Sequence, residues 1–188
     1  SYRRLRNTFR FLLGSLVEYD ANTEAVNYTE LPELEKWVLH RLSELDEVVR
    51  NGYDAYSFQS VFQQIFQFCT IDLSSFYFDI RKDCLYCDAP SSDLRRSTRN
   101  VLDIVFFRLT SWLAPILVFT TEEVWLERFG AAETSIHMED IPITPKNWSN
   151  KKLSDKWANI RQVRKVVTGA IEVHRQTKVI GSSLEASP

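Results

Sequence analysis

Glycine and proline are scarce in this chain, five and six among 188 residues. So few of either disfavours an all-β fold full of tight turns and a nucleotide-binding fold built on Gly-rich loops; helix becomes the default reading. Cysteine is scarcer still, with only Cys69, Cys84 and Cys87. An odd count, with no apolar leader before Tyr2, predicts a reducing compartment, the cytoplasm, and no disulfide framework. No run is long and apolar enough to cross a bilayer, so no membrane partner is expected. The patterns G-x-x-x-x-G-K-[ST], G-x-G-x-x-G and G-x-S-x-G are also missing, which removes support for phosphate-loop, dinucleotide and hydrolase-elbow chemistry. There is no internal repeat and no low-complexity tract.

What is present is apolar residue at helical spacing. With 44% hydrophobic content the chain can bury a real core, and one domain plus an appendage is the natural expectation. Phe58, Val61, Phe62, Ile65, Phe66, Cys69, Leu73, Phe76, Tyr77 and Ile80 recur at steps of three and four, which predicts one long core helix over residues 58–87. Such an aromatic rod must be covered by other amphipathic helices. Its last turns carry Asp79, Arg81, Lys82 and Asp83, predicted as a charged, exposed tip.

The remaining segments read as further helices. The first runs over residues 2–19, with Leu5, Phe9, Leu12, Leu13 and Leu16 on one stripe and Arg3, Asn7, Arg10 and Gly14 on another. Residues 20–31 read as a loop. Pro32, followed by Glu33 and Glu35, opens a second helix whose stripe includes Leu34, Trp37, Val38, Leu42, Leu45, Val48 and Val49. Asn51-Gly52 marks a weak point near its end. After the rod, Ser91, Ser92 or Asp93 caps a helix that buries Leu94, Val101, Leu102, Val105, Phe106, Leu109, Trp112 and Leu113, presents Arg95, Arg96 and Arg99 outward, and stops at Pro115. Thr120 and Glu123 have capping-box spacing for a short helix ended by Gly130. Residues 131–150 read as an extended crossing. A last helix over 152–177 is expected to turn Trp157, Ile160, Val163, Val167, Ala170 and Ile171 inward, and Arg161, Arg164, Lys165 and Arg175 largely outward.

The net charge of -2 hides an asymmetry. Residues 146–178 hold nine Lys or Arg against two acids, and the first thirteen residues hold Arg3, Arg4, Arg6 and Arg10 with no acid. Basic helix faces of this kind suit a phosphate backbone, because Arg and Lys release counterions without reading sequence. Tyr86 and Trp148 could stack on unpaired bases. Enzymic constellations are weak by comparison. Cys84-x-x-Cys87 is a single pair where structural zinc needs four ligands, and His40, His137 and His174 are scattered. Asp72, within an apolar stretch, is expected to satisfy a buried donor. Glu122 and Glu123 are explained by helix capping. A helical protein-interaction scaffold and a metal-dependent helix bundle resting on Cys84 and Cys87 stand as alternatives.

Beyond periodicity, particular strings carry a likeness. YRRLRNTFRFLLGSL (2–16), LPELEKWVLHRL (31–42), DLSSFYFDIRKDCLYCDAP (72–90), WLAPILVFTTEEVW (112–125) and VVTGAIEVHRQTKVIGSSLEA (166–186) together resemble the isoleucyl-tRNA synthetases, class I aminoacyl-tRNA synthetases, in the region after their catalytic core. RNTFRFLLG, FYFDIRKD and LAPI with FTTEEVW are shared with valyl and leucyl relatives; KVIGSSLEA is closest to the isoleucyl type. The resemblance implies an all-α fold, a helical bundle of the anticodon-binding kind over residues 1–145, with 146–188 forming a basic C-terminal helix and the start of a following subdomain. It implies a fragment without the HIGH and KMSKS signatures, having no cofactor of its own, while ATP and magnesium serve a catalytic domain of the same polypeptide. The implied partner is isoleucine tRNA, bound by a monomer through Arg3, Arg6, Asn7, Arg10, Arg81, Lys82, Arg161, Arg164 and Lys165. The same module of a valyl- or leucyl-type enzyme is the alternative within the family.

Overall fold

The computed structural model describes residues 2–130, 134–181 and 185. Residues 131–133 of the expected crossing, and 182–184 and 186 of the KVIGSSLEA string, lie outside the described residues. Within them the chain is all-α: α1 (Tyr2–Ser15), α2 (Ala21–Glu24), α3 (Glu33–Asp54), α4 (Phe58–Gln67), α5 (Phe78–Cys87), α6 (Asp93–Leu113), α7 (Val118–Phe129) and α8 (Lys151–Gln176), with no strand among the described residues. The chain divides into two compact units, Ser1–Ser149 and Asn150–Pro188.

In the first unit α6 is the enclosed helix. From Ser97 to Leu113 it is covered on nearly every side, and Val101, Leu102, Val105, Phe106, Leu109, Trp112 and Leu113 have no exposed surface. A helix buried all round can still carry polar residues if each finds a partner. Ser92 caps α6 by accepting from the Arg95 amide, and Pro115 follows its end as expected. Arg99, expected outward, is buried instead: Nη1 donates to Glu24 Oε2 at 2.8 Å and Nη2 to the Val17 carbonyl at 2.7 Å.

The rod is not one α-helix. Between α4 and α5 lies a π-helical segment, Phe68–Tyr77, in which the Phe78 amide reaches back to the Leu73 carbonyl. A π turn holds more residues than an α turn, so the buried face drifts in phase. Hence Phe78 is buried while Ile80, expected inside, is 38% exposed. Phe58 at the start is exposed as well. Asp72 on this segment accepts from Arg41 Nε at 3.1 Å, the satisfied pairing expected for it.

Smaller corrections have local causes. The 20–31 loop contains α2, capped by Asp20 Oδ1 accepting from the Asn22 amide, and a 3-10 turn, Tyr28–Glu30. Gly52 is no weak point: a Cβ there would sit 2.4 Å from Val61 Cγ2, so glycine is what lets α3 and α4 approach. The predicted capping box on α7 does not form. The helix begins earlier, at Val118, with no side-chain cap, and Gly130 ends it at φ 82°. Glu122 instead accepts from Ser135 Oγ at 2.9 Å and the Ile136 amide at 3.2 Å. Trp148, offered as a stacking residue, is buried with the Arg108 guanidinium 5.3 Å from its ring centroid.

In the second unit α8 opens on Asn150, whose Oδ1 accepts from the Leu153 amide at 3.0 Å. Its faces depart from the expectation. Ile160, Val163, Val166 and Val173 are exposed, whereas Trp157, Arg161, Arg164, Val167 and Ile171 form the half-covered stripe.

Candidate nucleic-acid interface

α1 packs against the π segment, α6 and α7, with Leu5, Phe9 and Leu12 turned inward and Phe11 stacked on Phe78 at 4.1 Å between centroids. Its opposite face borders a groove of about 920 Å³ between α1 and α7. Arg3, Arg6, Asn7 and Arg10, with Glu18 beyond them, line one side; Glu123, Glu127 and Arg128 line the other; Leu13 adds apolar surface, and Phe9 and Val124 lie buried beneath. The steps of three and four along α1 place these four polar residues on one stripe about 10 Å long. Four of the nine expected contact residues are therefore brought together by a single helix face.

Two links span the groove. Arg6 lies 3.7 Å from Glu123 with both side chains largely exposed, and Tyr2 and Thr120 share a hydrogen bond of 2.9 Å. Among the described residues Arg3, Asn7, Arg10 and Glu127 engage no side-chain partner, so their hydrogen-bonding capacity faces solvent. Arg128 lies deeper: it pairs with Asp103 and rests against the rings of Phe106, Phe107 and Phe129. Burial raises the Asp103 carboxyl above the usual carboxylate range, with the charge of Arg128 opposing.

The other expected cations stand elsewhere. Arg81 corrects the picture of an exposed tip: its fork donates to both oxygens of Glu35, 2.7 Å each, and Glu35 has no exposed surface. Burial alone would lower the Arg81 pKa, but Glu35 reverses the direction and raises it. Lys82 is exposed and bonded to Asp79 at 3.0 Å, which raises its pKa. On α8, Lys165 is exposed while Arg161 and Arg164 belong to the half-covered stripe.

Sequence reasoning missed the acidic wall. The i, i+4 spacing of Glu123 and Glu127 was available as a signal, but a capping role absorbed the first and left the second without comment. Cys84 and Cys87 do not join a larger constellation. Cys84 Sγ is buried 3.7 Å from Thr98 Oγ1, Cys87 is exposed, and no group of three or more His, Cys, Asp or Glu that could hold a metal occurs among the described residues. Nor is any described helix long and apolar enough to cross a membrane.

Residues 35–188 match the family described as the anticodon-binding domain of tRNA ligase. Relatives align over the full chain, including α1. An isoleucine–tRNA ligase from Agrobacterium fabrum (strain C58 / ATCC 33970) is 56% identical over all 188 residues, which make up 19% of that protein. The enzymes of the same name from Ruegeria pomeroyi and Mesorhizobium japonicum are 56% and 53% identical, again over the whole chain and 19% of theirs. The chain thus spans about a fifth of the length of the curated relatives it matches, and it belongs to the anticodon-binding domain family of tRNA ligases.

Proposed function

We propose that this chain binds the anticodon stem-loop of isoleucine tRNA for an isoleucine–tRNA ligase whose catalytic part lies elsewhere in the same polypeptide. That part would join isoleucine to the tRNA with ATP and magnesium; the described residues offer magnesium no cradle, so no step of that chemistry is assigned to them. The observation that carries the reading is the α1 wall, where Arg3, Arg6, Asn7 and Arg10 share one groove. Three guanidiniums on one rigid face hold phosphates at fixed spacing, and they supply salt-dependent affinity without base specificity. Lys82, Arg161, Arg164 and Lys165 add positive charge outside the groove. Arg81 supports α5 from within. The choice of isoleucine rests on the relatives, 50–56% identical and all isoleucine–tRNA ligases. The module works as a monomer in the cytoplasm.

Filter binding of an anticodon stem-loop RNA between about 50 and about 200 mM salt tests this. Affinity should fall steeply with salt, and Arg3→Gln, Arg6→Gln and Arg10→Gln should each weaken binding and reduce the salt slope by about 0.7–0.9. A second arm changes Arg161, Arg164 and Lys165 to Gln together. Salt-independent affinity, or a triple α1 variant that binds like the parent, sinks the proposal and leaves the basic faces to an acidic protein.

A further inference from the structure

The corner between α3 and α4 carries a residue that its backbone does not favour. α3 ends in a Schellman turn: the Tyr56 amide donates to the Tyr53 carbonyl at 3.0 Å, and the Ser57 amide to the Gly52 carbonyl at 2.7 Å. That motif needs one residue in the left-handed region, and glycine ordinarily fills the place. Here Tyr56 fills it, at φ 55°. A bulky side chain is strained there, and the fold gains no burial in return, because Tyr56 is 80% exposed. Its ring stands edge-on to that of Phe58, 6.1 Å between centroids, and Phe58 is itself exposed. The corner beneath them is anchored. Phe58 leans on Tyr53, 5.8 Å between centroids, and the Tyr53 hydroxyl donates to the carbonyl of Trp112 in the enclosed α6. An open cavity of about 520 Å³ lies beside the two rings, lined also by Ser57, Gln59, Ser60 and Gln63. Among the described residues no charged side chain lines it, and the hydroxyls and carboxamides of these four engage no side-chain partner.

We infer that this corner is a stacking site for one unpaired nucleobase, which lies on the Tyr56 ring and meets the Gln59 and Gln63 carboxamides along its edge. The inference rests on the RNA-binding reading above and adds a base contact at a place which that reading does not touch. The lining selects the occupant. A cavity without charge gives no hold to a phosphate or to an acidic or basic side chain. A base brings what the cavity answers: a flat, neutral π face and an edge of donors and acceptors. Each carboxamide is both donor and acceptor, so it pairs with the edge of any base. The site therefore recognises that a base is unpaired more than which base it is. A tyrosine holds such a contact at small entropic cost, since only two torsions need fixing.

The experiment measures binding of an anticodon stem-loop RNA to the full 188-residue chain at low and high salt, with a fluorescent purine analogue placed in the loop. Tyr56→Ala should weaken binding about tenfold at either salt, the worth of one stacked base, and leave the salt slope unchanged, because a ring releases no counterions. The parent should quench the analogue and that variant should not. Tyr56→Phe keeps the ring and should bind within about twofold of the parent. Changing Gln59 and Gln63 to Ala together should weaken binding about fivefold. Tyr56→Gly should bind as weakly as Tyr56→Ala and yet melt at or above the parent Tm, since glycine relieves the left-handed backbone. Three outcomes overturn the inference: parent-like affinity in Tyr56→Ala, which would leave the rings to a protein partner; a loss in Tyr56→Phe equal to that in Tyr56→Ala; or a Tyr56→Gly chain that melts well below the parent, which would make the ring part of the fold. Salt-independent binding that still needs Tyr56 would defeat the α1 phosphate reading and leave the corner standing, and a parent that binds no stem-loop defeats both.

Discussion

Glu35 sits with no exposed surface at the meeting of α3, the π segment, α5 and α6, and four donors converge on it. Arg81 supplies two, and the Tyr77 and Thr98 hydroxyls donate at 3.2 and 3.3 Å. Removing the cation would leave a buried carboxylate half-satisfied. We predict that Arg81→Gln destabilises the chain by about 3 kcal/mol, a fall in Tm on the order of 10 °C, while Lys82→Gln leaves Tm within about 2 °C. A shift no larger for Arg81 than for Lys82 in a thermal melt would return Arg81 to the surface. Tyrosines give a pH signature. Tyr19 is pushed up to about 12 by burial and then by Asp103 and Glu24, Tyr53 to about 12 by burial, and Tyr77 upward by burial and Glu35. A raised folded pKa means the unfolded chain releases its proton first. The stability from these residues is therefore complete below about pH 10 and lost as pH climbs towards 12. Urea midpoints should hold to about pH 9.5 and drop steeply above it, and Tyr53→Phe should soften the drop. At this scale little was legible in the sequence. Arg81 and Arg99 read there as surface cations, and Arg108 and Arg128 drew no reading at all. Their acceptors stand tens of positions away, 46 residues for Arg81 and 75 for Arg99, and only the fold supplies them.

Elements were far more legible, because a stripe of apolar residues is a local property. The positions of α1, α3, α6, α7 and α8 follow from period, from the Ser92 cap of α6 and from the stops at Pro115 and Gly130, although the cap expected on α7 is not there. What escaped is where winding or contact changes the phase. The π segment carries no distinct composition, yet it moves burial from Ile80 to Phe78 and so places Arg81 over Glu35. Gly52 shows the same limit. In a helix interior, glycine to alanine ordinarily stabilises by about 1 kcal/mol. Here the new methyl would meet Val61, a stiff β-branched residue with no exposed surface, at 2.4 Å. We predict that Gly52→Ala costs about 1–2 kcal/mol net. In a double-mutant cycle on urea midpoints, Val61→Ala should be less damaging in the Gly52→Ala background than alone. Strict additivity would show that α3 and α4 do not touch there.

Across the whole molecule, the helical bundle and the α1 half of the groove were visible in advance, and the acidic half was not. The groove is made by two helices more than a hundred residues apart, as the Tyr2–Thr120 bond records. Partners distant in sequence also hold the crossing after α7, 34 residues away for Arg108 and 92 for Arg50. Arg108 Nη1 donates to the Pro142 carbonyl at 2.6 Å and Thr144 Oγ1 at 2.7 Å, Nη2 to the Ile143 carbonyl at 2.8 Å, and Arg50 Nη2 to the Pro142 carbonyl at 2.8 Å. Asp46 stands between the two guanidiniums. Burial lowers the Arg108 pKa, so this charge is tolerable only once its acceptors surround it. Such a clamp dictates a chronology. The strap has nothing to fasten to until α3 and α6 have paired, so its seating belongs after the rate-limiting step of folding. We predict that Arg108→Lys accelerates unfolding about tenfold in stopped-flow chevrons and leaves the refolding limb nearly unchanged. A slowed refolding limb would put the strap in the nucleus. If the limb holds, Arg108 acts as a late bolt on the bundle, setting how long the native state lasts more than how quickly it forms.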